Sequence, residues 1–388
     1  MVITKESLKE GFVTTFKQEP DRYFISPGRL EIVGNHTDHN HGVAIVASAT
    51  LYIKAAVRKR DDGIINFDSN GSKFFDISTE AGEPKENEIM SSRGLIRGVV
   101  NGFIKYGYKV GGFDCFSNSE VPSGGGVSSS AAFELLICAI LNGLYNDNKV
   151  DKITMAKISQ ASERDYFGKP CGILDQIGAA CGGISYVDFK DPENPVVKNT
   201  NFPFTLKVVL TNPGNSHAGL TDYYASIPND MYSVAHKLGK EYLGDTSMKE
   251  FNDYRKKHPE DFTESEVDRA THFYLECDRV EKAYQALLNN DEKTFVKCIS
   301  ESGLSSSLTL RNTSVPGKYS RSPERALRIA RKFAPKSAHR VHGGGFMGTI
   351  ISFVYPEEYD LLAKIINKSF GPGSVIDVGI SPFGAGEY

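Results

Sequence analysis

A glycine- and serine-rich segment, VPSGGGVSSSAAFELL at residues 121–136, holds the first group of residues that could carry out chemistry. Its glycines let the backbone approach a ligand closely and turn N–H groups toward it. The apolar run that follows predicts a buried helix, whose amino end carries partial positive charge. The segment therefore predicts a site for an anion such as phosphate. A glycine turn followed by a serine cap of the helix is the alternative.

The serines of this segment add hydroxyl groups to the predicted phosphate site. Ser128, Ser129 and Ser130 can hydrogen-bond a phosphate or bind Mg²⁺, as Ser and Thr do in other phosphate loops. No lysine follows the glycines, so the segment does not match the GxxxxGK[ST] loop.

A second polar segment, SPGRLEIVGNHTDHNHG at residues 26–42, lies between two strand-like apolar runs. His36, Thr37 and Asp38 offer hydrogen-bond donors and acceptors of the kind that bind sugar hydroxyls. Three histidines, at positions 36, 39 and 41, could instead bind a metal, although this spacing on a turn is a weak indication. A solvated loop is the third interpretation of the segment taken alone.

Two further segments complete the set. HGGGFMGT, at residues 342–349, is another glycine-dense turn that leads into a predicted buried strand. FGKPCGILDQIGAACGG, at residues 167–183, places Asp175 in an apolar and glycine-rich neighbourhood. A charged group is seldom buried without a partner, so an Asp175 paired with Arg29 would be a general base or an organiser of the transition state. An aspartate that caps a helix is the alternative.

The elements that must position these segments are strands and helices that do not alternate strictly. β-Branched and aromatic residues predict strands over 21–34 and 42–60, and the chain ends in a strand-like tail. Helical patterns cover 91–107, 128–145, 153–167 and about 222–300. This mixture predicts an α+β fold.

The length of 388 residues predicts two domains. A Pro-, Asn- and Asp-rich stretch within 185–213 contains the expected boundary, near residue 200. We therefore expect an N-terminal domain at residues 1–200, which carries the first two polar segments, and a C-terminal domain at 201–388.

Composition excludes several classes of function. The net charge is −3 and the basic residues are scattered, so we expect no nucleic-acid partner. The six cysteines lack metal-ligand spacing and are expected to be reduced thiols. No signal-peptide core or long apolar stretch is seen, so we expect a cytoplasmic protein with no membrane partner.

In this order and spacing, the segments resemble the motifs of the GHMP family of small-molecule kinases, and most closely the galactokinases within it. SPGRLEIVGNHTDHNHG is similar to the galactokinase signature GRxNxIGEHTDYxxG, and VPSGGGVSSSAAFE to the phosphate loop PxGxGLSSSAA. CGILDQ resembles CGIMDQ, and HRVHGGGFMGT resembles the third motif, RxTGGGFGGC. The tail ISPFGAGEY is also similar, so the resemblance spans nearly the whole chain.

The resemblance implies a two-domain GHMP kinase fold with mixed sheets and helices and an active site between the domains. It implies that Asp175 is the catalytic aspartate and Arg29 its basic partner, and that Ser130 (or Ser129) and Glu163 bind Mg²⁺. The implied phosphate-binding residues are Gly124, Gly125, Gly126, Ser128, Ser129 and Ser130. The implied sugar-binding residues are Asn35, His36, Asp38, Gly172, Asp175, Tyr223 and Tyr224.

The implied reaction transfers the γ-phosphoryl group of ATP to the anomeric hydroxyl of a sugar, with galactose as the leading substrate. Mg²⁺ and the loop amides would hold the phosphates, Arg29 would stabilise developing charge and Asp175 would accept the hydroxyl proton. The partners are then the sugar and ATP, and we expect a monomer in preference to an oligomer.

Two departures from the galactokinase motifs concern the sugar. Asn35 stands where the signature has Glu, which would replace a charged acceptor with a neutral amide. Ala225 falls at the usual sugar-contacting Tyr, with Tyr223 and Tyr224 just before it. The alternatives are therefore a 1-kinase for another sugar (a uronic acid, a pentose, fucose or an N-acetylhexosamine) and a sensor that binds sugar and ATP without transfer.

Overall fold

Two long antiparallel strands, β1 (Arg22–Val33) and β2 (Val43–Arg60), form the centre of the fold. The computed structural model describes residues 3–122, 126–214 and 220–388. The pairing of β1 with β2 is irregular between Pro27 and Arg29 and again between Glu31 and Val33. Such bulges redirect side chains and are common beside active sites. Arg29 and Glu31 lie between the two irregularities, two positions apart, so they share one face of the strand.

The remaining strands in the described ranges are β3 (Ile64–Ser69), β4 (Ser72–Ser78), β5 (Gly112–Ser119), β6 (Ile184–Asp188), β7 (Val196–Thr200), β8 (Lys207–Thr211), β9 (Ala338–Val341), β10 (Ile350–Val354), β11 (Val375–Val378) and β12 (Gly386–Glu387). The larger sheet has the order β12-β1-β2-β5-β3-β4, with β6 paired to β2 and β7 to β6. The smaller sheet has the order β11-β8-β10-β9. β3 and β5 are parallel, and the other described strand pairs are antiparallel.

The helices of the described residues are α1 (Lys5–Phe16), α2 (Ser92–Lys105), α3 (Ser129–Tyr145), α4 (Lys152–Ala161), α5 (Leu174–Cys181), α6 (Thr221–Lys237), α7 (Met248–Lys257), α8 (Glu264–Leu288), α9 (Glu292–Ser305), α10 (Pro323–Phe333) and α11 (Pro356–Phe370). Helix α4 continues into a π-helical turn at Ser162–Tyr166, and α9 into another at Ser306–Leu310. None of the helices in these ranges combines the length and the apolar content needed to cross a bilayer. The mixture of helices and mixed sheets confirms the predicted α+β fold.

The core explains why the amino ends of two helices meet at β1. Helix α3 is almost entirely buried, and both α3 and α5 pack against β1 and β2. The side chains of Leu135, Leu136 and Ile177 are fully buried in the core that these elements share with the larger sheet. This packing fixes the first turns of α3 and α5 beside Arg29.

The chain passes from the larger sheet to the smaller sheet between β7 and β8, that is, between Thr200 and Lys207. This change lies close to the boundary expected near residue 200. The last strand, β12, returns to pair with β1 of the larger sheet. The division into domains 1–200 and 201–388 stays a prediction.

Candidate active site

An ion pair between Arg29 of β1 and Asp175 of α5 lies at the centre of the site. Arg29 Nε donates to Asp175 Oδ1 at 2.8 Å, and Arg29 Nη2 bonds the same oxygen. Ser128 Oγ donates to the other oxygen, Asp175 Oδ2, at 2.6 Å. Asp175 lies in the first turn of α5, but its carboxylate is bonded to Arg29 and Ser128 rather than used as the helix cap. The structure therefore brings together the carboxylate, the guanidinium and the serine segment.

The charges around Asp175 determine its protonation state. Burial by itself would raise the pKa of Asp175, but the attraction of Arg29 and the hydrogen bonds from Ser128 and Arg29 hold this pKa below its ordinary value. Burial opposes the charge of Arg29 as well, yet Asp175 and Glu31 raise the pKa of Arg29 above its ordinary value. Both groups are thus charged at neutral pH.

The residues before α3 connect this ion pair to the amino end of a helix. Ser128 is the N-cap residue of α3 and has a left-handed backbone, with φ of 58° and ψ of 58°. Its hydroxyl bonds Asp175 and makes no capping bond to its own helix. Gly126, with φ of +76°, accepts a hydrogen bond from Arg29 Nη1 at 3.2 Å. The start of α3 is therefore left without a side-chain cap, in the arrangement that favours an anion.

Gly124 and Gly125, which the motif also assigns to the phosphate loop, lie outside the described residues. Ser129 begins α3. Together with Gly126 and Ser128 it stays a predicted phosphate contact.

Ser130, two residues after Ser128, forms a second polar pair with Glu163. Ser130 Oγ donates to Glu163 Oε1 at 2.8 Å, and Lys169 Nζ reaches the same oxygen at 2.7 Å. Gln176 Nε2 donates to Glu163 Oε2 at 2.9 Å. Glu163 is 1% exposed and lies in the π-helical turn that ends α4, a feature common at functional sites. A hydroxyl and a carboxylate in contact are oxygen donors of the kind that Mg²⁺ prefers, so this pair fits the predicted metal ligands.

A polar cavity of about 340 Å³ lies next to the ion pair. Its walls include six of the predicted residues, namely Arg29, Asn35, His36, Asp38, Gly172 and Asp175. They also include Glu31, His39, Lys169, Pro170, Cys171, Leu174, Gly343 and Gly344. The wall thus combines residues of both halves of the chain, and it is polar enough for a hydroxyl-rich ligand.

Asp38 and Gly172 are packed closely in the cavity wall. A Cβ atom on residue 172 would meet Asp38 Oδ2 at 2.6 Å, so any larger residue would force the Asp38 carboxyl group to move. Burial raises the pKa of Asp38 to about 6, and the negative charge of Glu31 adds to this effect. Among the carboxyl groups of the wall, Asp175 therefore stays ionised at neutral pH, whereas Asp38 has a pKa of about 6.

The histidines of the second segment form a hydrogen-bond chain. Asn40 Nδ2 lies 3.0 Å from His39 Nδ1, His39 Nε2 lies 3.2 Å from His36 Nδ1, and His36 Nε2 lies 3.1 Å from the carbonyl oxygen of Gly344. This order assigns the Nε2–H tautomer to both rings. Burial lowers the pKa of both histidines below the ordinary value, so both are neutral.

His41 turns away from this chain and stacks on Tyr242. Within the described ranges no group of three or more His, Cys, Asp or Glu side chains is arranged to hold a metal ion. The histidines thus join the cavity wall to the glycine turn at 343–345.

Asn35 is 1% exposed, and its side-chain amide is fully engaged with the protein. Its Nδ2 donates to Glu31 Oε1 at 3.0 Å and to the carbonyl oxygen of Gly343 at 2.8 Å. Its Oδ1 accepts from Asn312 Nδ2 at 2.8 Å. The carbonyl that could have replaced the missing glutamate as a sugar acceptor is therefore already bonded.

Tyr223 and Tyr224 lie at the start of α6, behind the glycine turn, and are not among the residues that line the cavity. The Tyr224 hydroxyl donates to the carbonyl oxygen of Gly345 at 3.1 Å, and its ring packs edge-on against Phe346. Tyr223 is 39% exposed and contacts the same phenylalanine. Their role as sugar contacts stays a prediction, and their observed contacts support the turn.

Sequence reasoning missed three polar residues of the site. Glu31 and Lys169 line the cavity, and Asn312 holds Asn35 from the opposite side. A strand position two residues after Arg29 shares its face, and this alternation could have identified Glu31. Nothing in the local pattern around Asn312 indicates its contact with a residue 277 positions away.

Comparison with known proteins agrees with this geometry. The family described as GHMP kinases N terminal domain matches residues 94–183, and the galactokinase galactose-binding signature matches residues 10–59. A galactokinase of Clostridium tetani is 30% identical over 369 residues, which cover 94% of this chain and 91% of that protein. A galactokinase of Clostridium acetobutylicum is 28% identical over 377 residues, with 94% and 92% covered. The crystal structure of Lactococcus lactis galactokinase complexed with galactose superimposes with a TM-score of 0.80 at 21% identity and covers 99% of both chains.

Proposed function

The chain belongs to the galactokinase family of GHMP kinases, and from this premise we propose that it transfers the γ-phosphoryl group of ATP to the anomeric hydroxyl of galactose. The products would be galactose 1-phosphate and ADP. The observation that carries this proposal is the carboxylate of Asp175, held between Arg29 and Ser128 where the polar cavity meets the amino end of α3.

The proposed reaction requires a sugar hydroxyl and a phosphoryl group to meet beside Asp175. The carboxylate would accept the proton of the anomeric hydroxyl as its oxygen bonds to the γ-phosphorus and the bond to the ADP oxygen breaks. Arg29 would stabilise the charge that develops on the transferring group. A carboxylate with a low pKa is a weak base, so positioning and charge stabilisation carry most of the rate enhancement.

The phosphates of ATP would lie at the start of α3, where Gly126 and Ser128 end the glycine-rich segment and the helix has no side-chain cap. Ser130 and Glu163 would hold Mg²⁺. The bound ion would supply neutralisation of the phosphate charge. Lys169, now bonded to Glu163, adds a further positive charge at the same place.

The sugar would occupy the cavity between Asp175 and the glycine turn at 343–345. Asp38 offers a carboxyl acceptor for its hydroxyls. The ring nitrogens of His36 and His39 are bonded to each other, to Asn40 and to Gly344, so these histidines hold the cavity wall in place. A site built to hydrogen-bond hydroxyls discriminates strongly against sugars that lack them, because its buried polar groups are then left unpaired.

The test is an assay of a sugar panel with ATP and Mg²⁺, in which ADP release and the phosphorylated sugar are both measured. We expect galactose to give the highest kcat/KM among galactose, fucose, a pentose, a uronic acid and an N-acetylhexosamine. A higher kcat/KM for another sugar would identify a different 1-kinase. Thermal stabilisation by sugar and ATP without ADP release would instead identify a sensor.

We further propose that the chain acts as a cytoplasmic monomer with no nucleic-acid partner. Its large exposed apolar side chains, such as Leu308 and Phe383, are scattered along the chain, and its net charge is −3. Its six cysteines are unpaired thiols, as expected of a reducing compartment. Size-exclusion chromatography with light scattering tests the oligomeric state.

A further inference from the structure

We propose that the carboxylate of Glu31 binds a hydroxyl group of the sugar. The galactokinase signature has its glutamate at the position of Asn35 instead, and we infer that Glu31 takes over the role of that glutamate. The proposal deepens the function proposed above and rests on it. In the signature GRxNxIGEHTDYxxG, the asparagine aligns with Glu31 and the glutamate aligns with Asn35. The chain has therefore exchanged these two residue types between positions four apart.

The structure explains how such an exchange can preserve the site. Asn35 Nδ2 donates to Glu31 Oε1 at 3.0 Å, so the two side chains are in direct contact. An exchange between contacting positions keeps one carboxylate and one amide in the same place. The exchange moves the negative charge by only about the length of a hydrogen bond. The carboxylate is then carried by strand β1 rather than by the loop that follows β1.

Glu31 has an oxygen that is available to a ligand. Oε1 accepts from Asn35 and from Arg340 Nη2, the latter at 3.0 Å. Oε2 accepts no hydrogen bond from the residues that the structure describes. It is also not one of the fully buried polar atoms that lack a partner in that part of the chain. Because Glu31 lines the cavity, Oε2 is the atom in position to accept a hydrogen bond from a hydroxyl.

Arg340 fixes this carboxylate and balances its charge. The guanidinium is fully buried, and its Nη1 donates to the carbonyl oxygens of Glu31 at 3.0 Å and Ile32 at 3.2 Å. His342 Nε2 also accepts from the Glu31 backbone N–H at 3.0 Å. A carboxylate that a buried cation holds in place is preorganised to accept a hydrogen bond from a hydroxyl group. Such a bond is strong because its acceptor is charged.

Asn35 cannot take this role in its present position. Both of its amide hydrogens and its carbonyl oxygen are bonded to Glu31, Gly343 and Asn312. Asn35 therefore links the Glu31 carboxylate to the glycine turn through hydrogen bonds to both.

The arrangement also selects a class of substrate. Glu31, Asp38 and Asp175 place three carboxyl groups in one cavity wall. A neutral sugar can donate hydroxyl hydrogen bonds to them, whereas the carboxylate of a uronic acid would be repelled. The carboxylate missing at position 35 is present at position 31, so the site is built for a neutral, hydroxyl-rich sugar.

The experiment compares the unaltered protein with Glu31→Gln on galactose and on deoxygalactoses that each lack one hydroxyl. We expect Glu31→Gln to raise KM for galactose about 10- to 100-fold, because a charge-assisted hydrogen bond is lost, with KM for ATP nearly unchanged. One deoxygalactose should be used equally well by both proteins, since it lacks the hydroxyl that Glu31 binds.

Glu88→Gln is the matched control. Glu88 is a buried carboxylate that is also held by an arginine: it accepts from Arg97 Nε at 2.7 Å and from Arg97 Nη2 at 3.1 Å. It does not line the cavity. Its substitution should lower the melting temperature without changing which deoxygalactose is disfavoured.

The double exchange Glu31→Asn with Asn35→Glu covers the case in which Glu31→Gln folds poorly. It restores the order of the signature, so we expect KM for galactose within about threefold of the unaltered protein. Asn35→Glu alone should raise KM far more, because it puts a second carboxylate against Glu31 and the carbonyl oxygen of Gly343.

Turnover of galactose by the unaltered protein is measured first and tests the proposed function by itself. If that turnover is present, an unchanged KM and an unchanged deoxygalactose profile in Glu31→Gln would overturn the inference. So would a double exchange as impaired as Asn35→Glu. If galactose is not phosphorylated, the proposed function fails and the inference fails with it.

Discussion

Ser128 Oγ donates a hydrogen bond to Asp175 Oδ2 at 2.6 Å, although Ser128 occupies the N-cap position of helix α3. A serine at this position usually satisfies an amide of its own helix. Here the hydroxyl is directed at the carboxylate, and it makes no capping bond to the amides at the start of α3. Ser128 thus links Asp175, the proposed proton acceptor, to the start of α3, where the phosphates of ATP are proposed to bind.

The first prediction concerns the charge of Asp175. Asp175→Asn keeps the size of the side chain but removes the negative charge that pairs with Arg29. We expect kcat to fall by about 100- to 10,000-fold, the range for loss of a group that takes a proton in the transition state. Steady-state kinetics measure the change, and calorimetric ATP titration with a thermal melt shows whether binding and fold are retained. Near-normal turnover would exclude the proposed role.

The second prediction concerns the proposed Mg²⁺ ligands. Ser130→Ala removes a hydroxyl that lies 2.8 Å from Glu163 Oε1, and Glu163→Gln removes the charge of that carboxylate. We expect each change to raise the Mg²⁺ concentration for half-maximal activity, by about 10-fold or more for Glu163→Gln because an anionic oxygen ligand is lost. Activity is measured across a Mg²⁺ titration at saturating ATP and sugar. Ser233→Ala, which removes a hydroxyl bonded to Glu266 outside the cavity, is the control and should leave the titration unchanged.

Much of this architecture could be predicted from the sequence, because local patterns report burial. The apolar run after Ser128 predicts a buried helix, and the structure has one at Ser129–Tyr145. The pairing of Asp175 with Arg29 was also predicted, on the argument that a carboxylate in an apolar neighbourhood requires a partner.

The sugar side of the site could not be predicted in the same way. Two irregularities in the pairing of β1 with β2, one on each side of Arg29 and Glu31, set where these side chains point, and no sequence pattern specifies the positions of the irregularities. The contact of Asn35 with Asn312 joins distant parts of the chain and depends on how α9 and its π-helical turn pack. In the sequence, Asn35 indicates only that the carboxylate of the galactokinase signature is missing. The structure shows that the carboxylate of Glu31 lies in contact with Asn35.

The third prediction uses the close approach of Gly172 to Asp38. Gly172→Ala would place a methyl group 2.6 Å from Asp38 Oδ2, so the carboxyl group must move. We expect KM for the sugar to rise about 10-fold or more while KM for ATP changes little, since displacement by a fraction of an ångström weakens a positioned contact. Gly82→Ala is the matched control because a Cβ there meets nothing within 4 Å. Equal sugar kinetics in the two variants would contradict the packing argument.

The fourth prediction follows from the raised pKa of Asp38, about 6 in the folded protein against an ordinary value of 3.8. Between these two values the folded state binds a proton that the unfolded state does not, so the stability from this group falls as pH rises through about 6. Asp38→Asn removes this penalty. It should therefore raise the free energy of unfolding at pH 7.5 by about 3 kcal/mol, from roughly 1.4 kcal/mol for each pKa unit between 3.8 and about 6, with a gain of only about 1 kcal/mol at pH 4.5.

Urea unfolding of both proteins at the two pH values measures this difference. The same substitution should raise KM for the sugar, because a neutral amide replaces an ionised acceptor in the cavity wall. A variant that is more stable yet binds sugar less well would show that the fold keeps a destabilising carboxylate for function. If Asp38→Asn is no more stable at pH 7.5 than at pH 4.5, relative to the unaltered protein, then burial does not destabilise this carboxylate and its charge must be balanced by the surrounding groups.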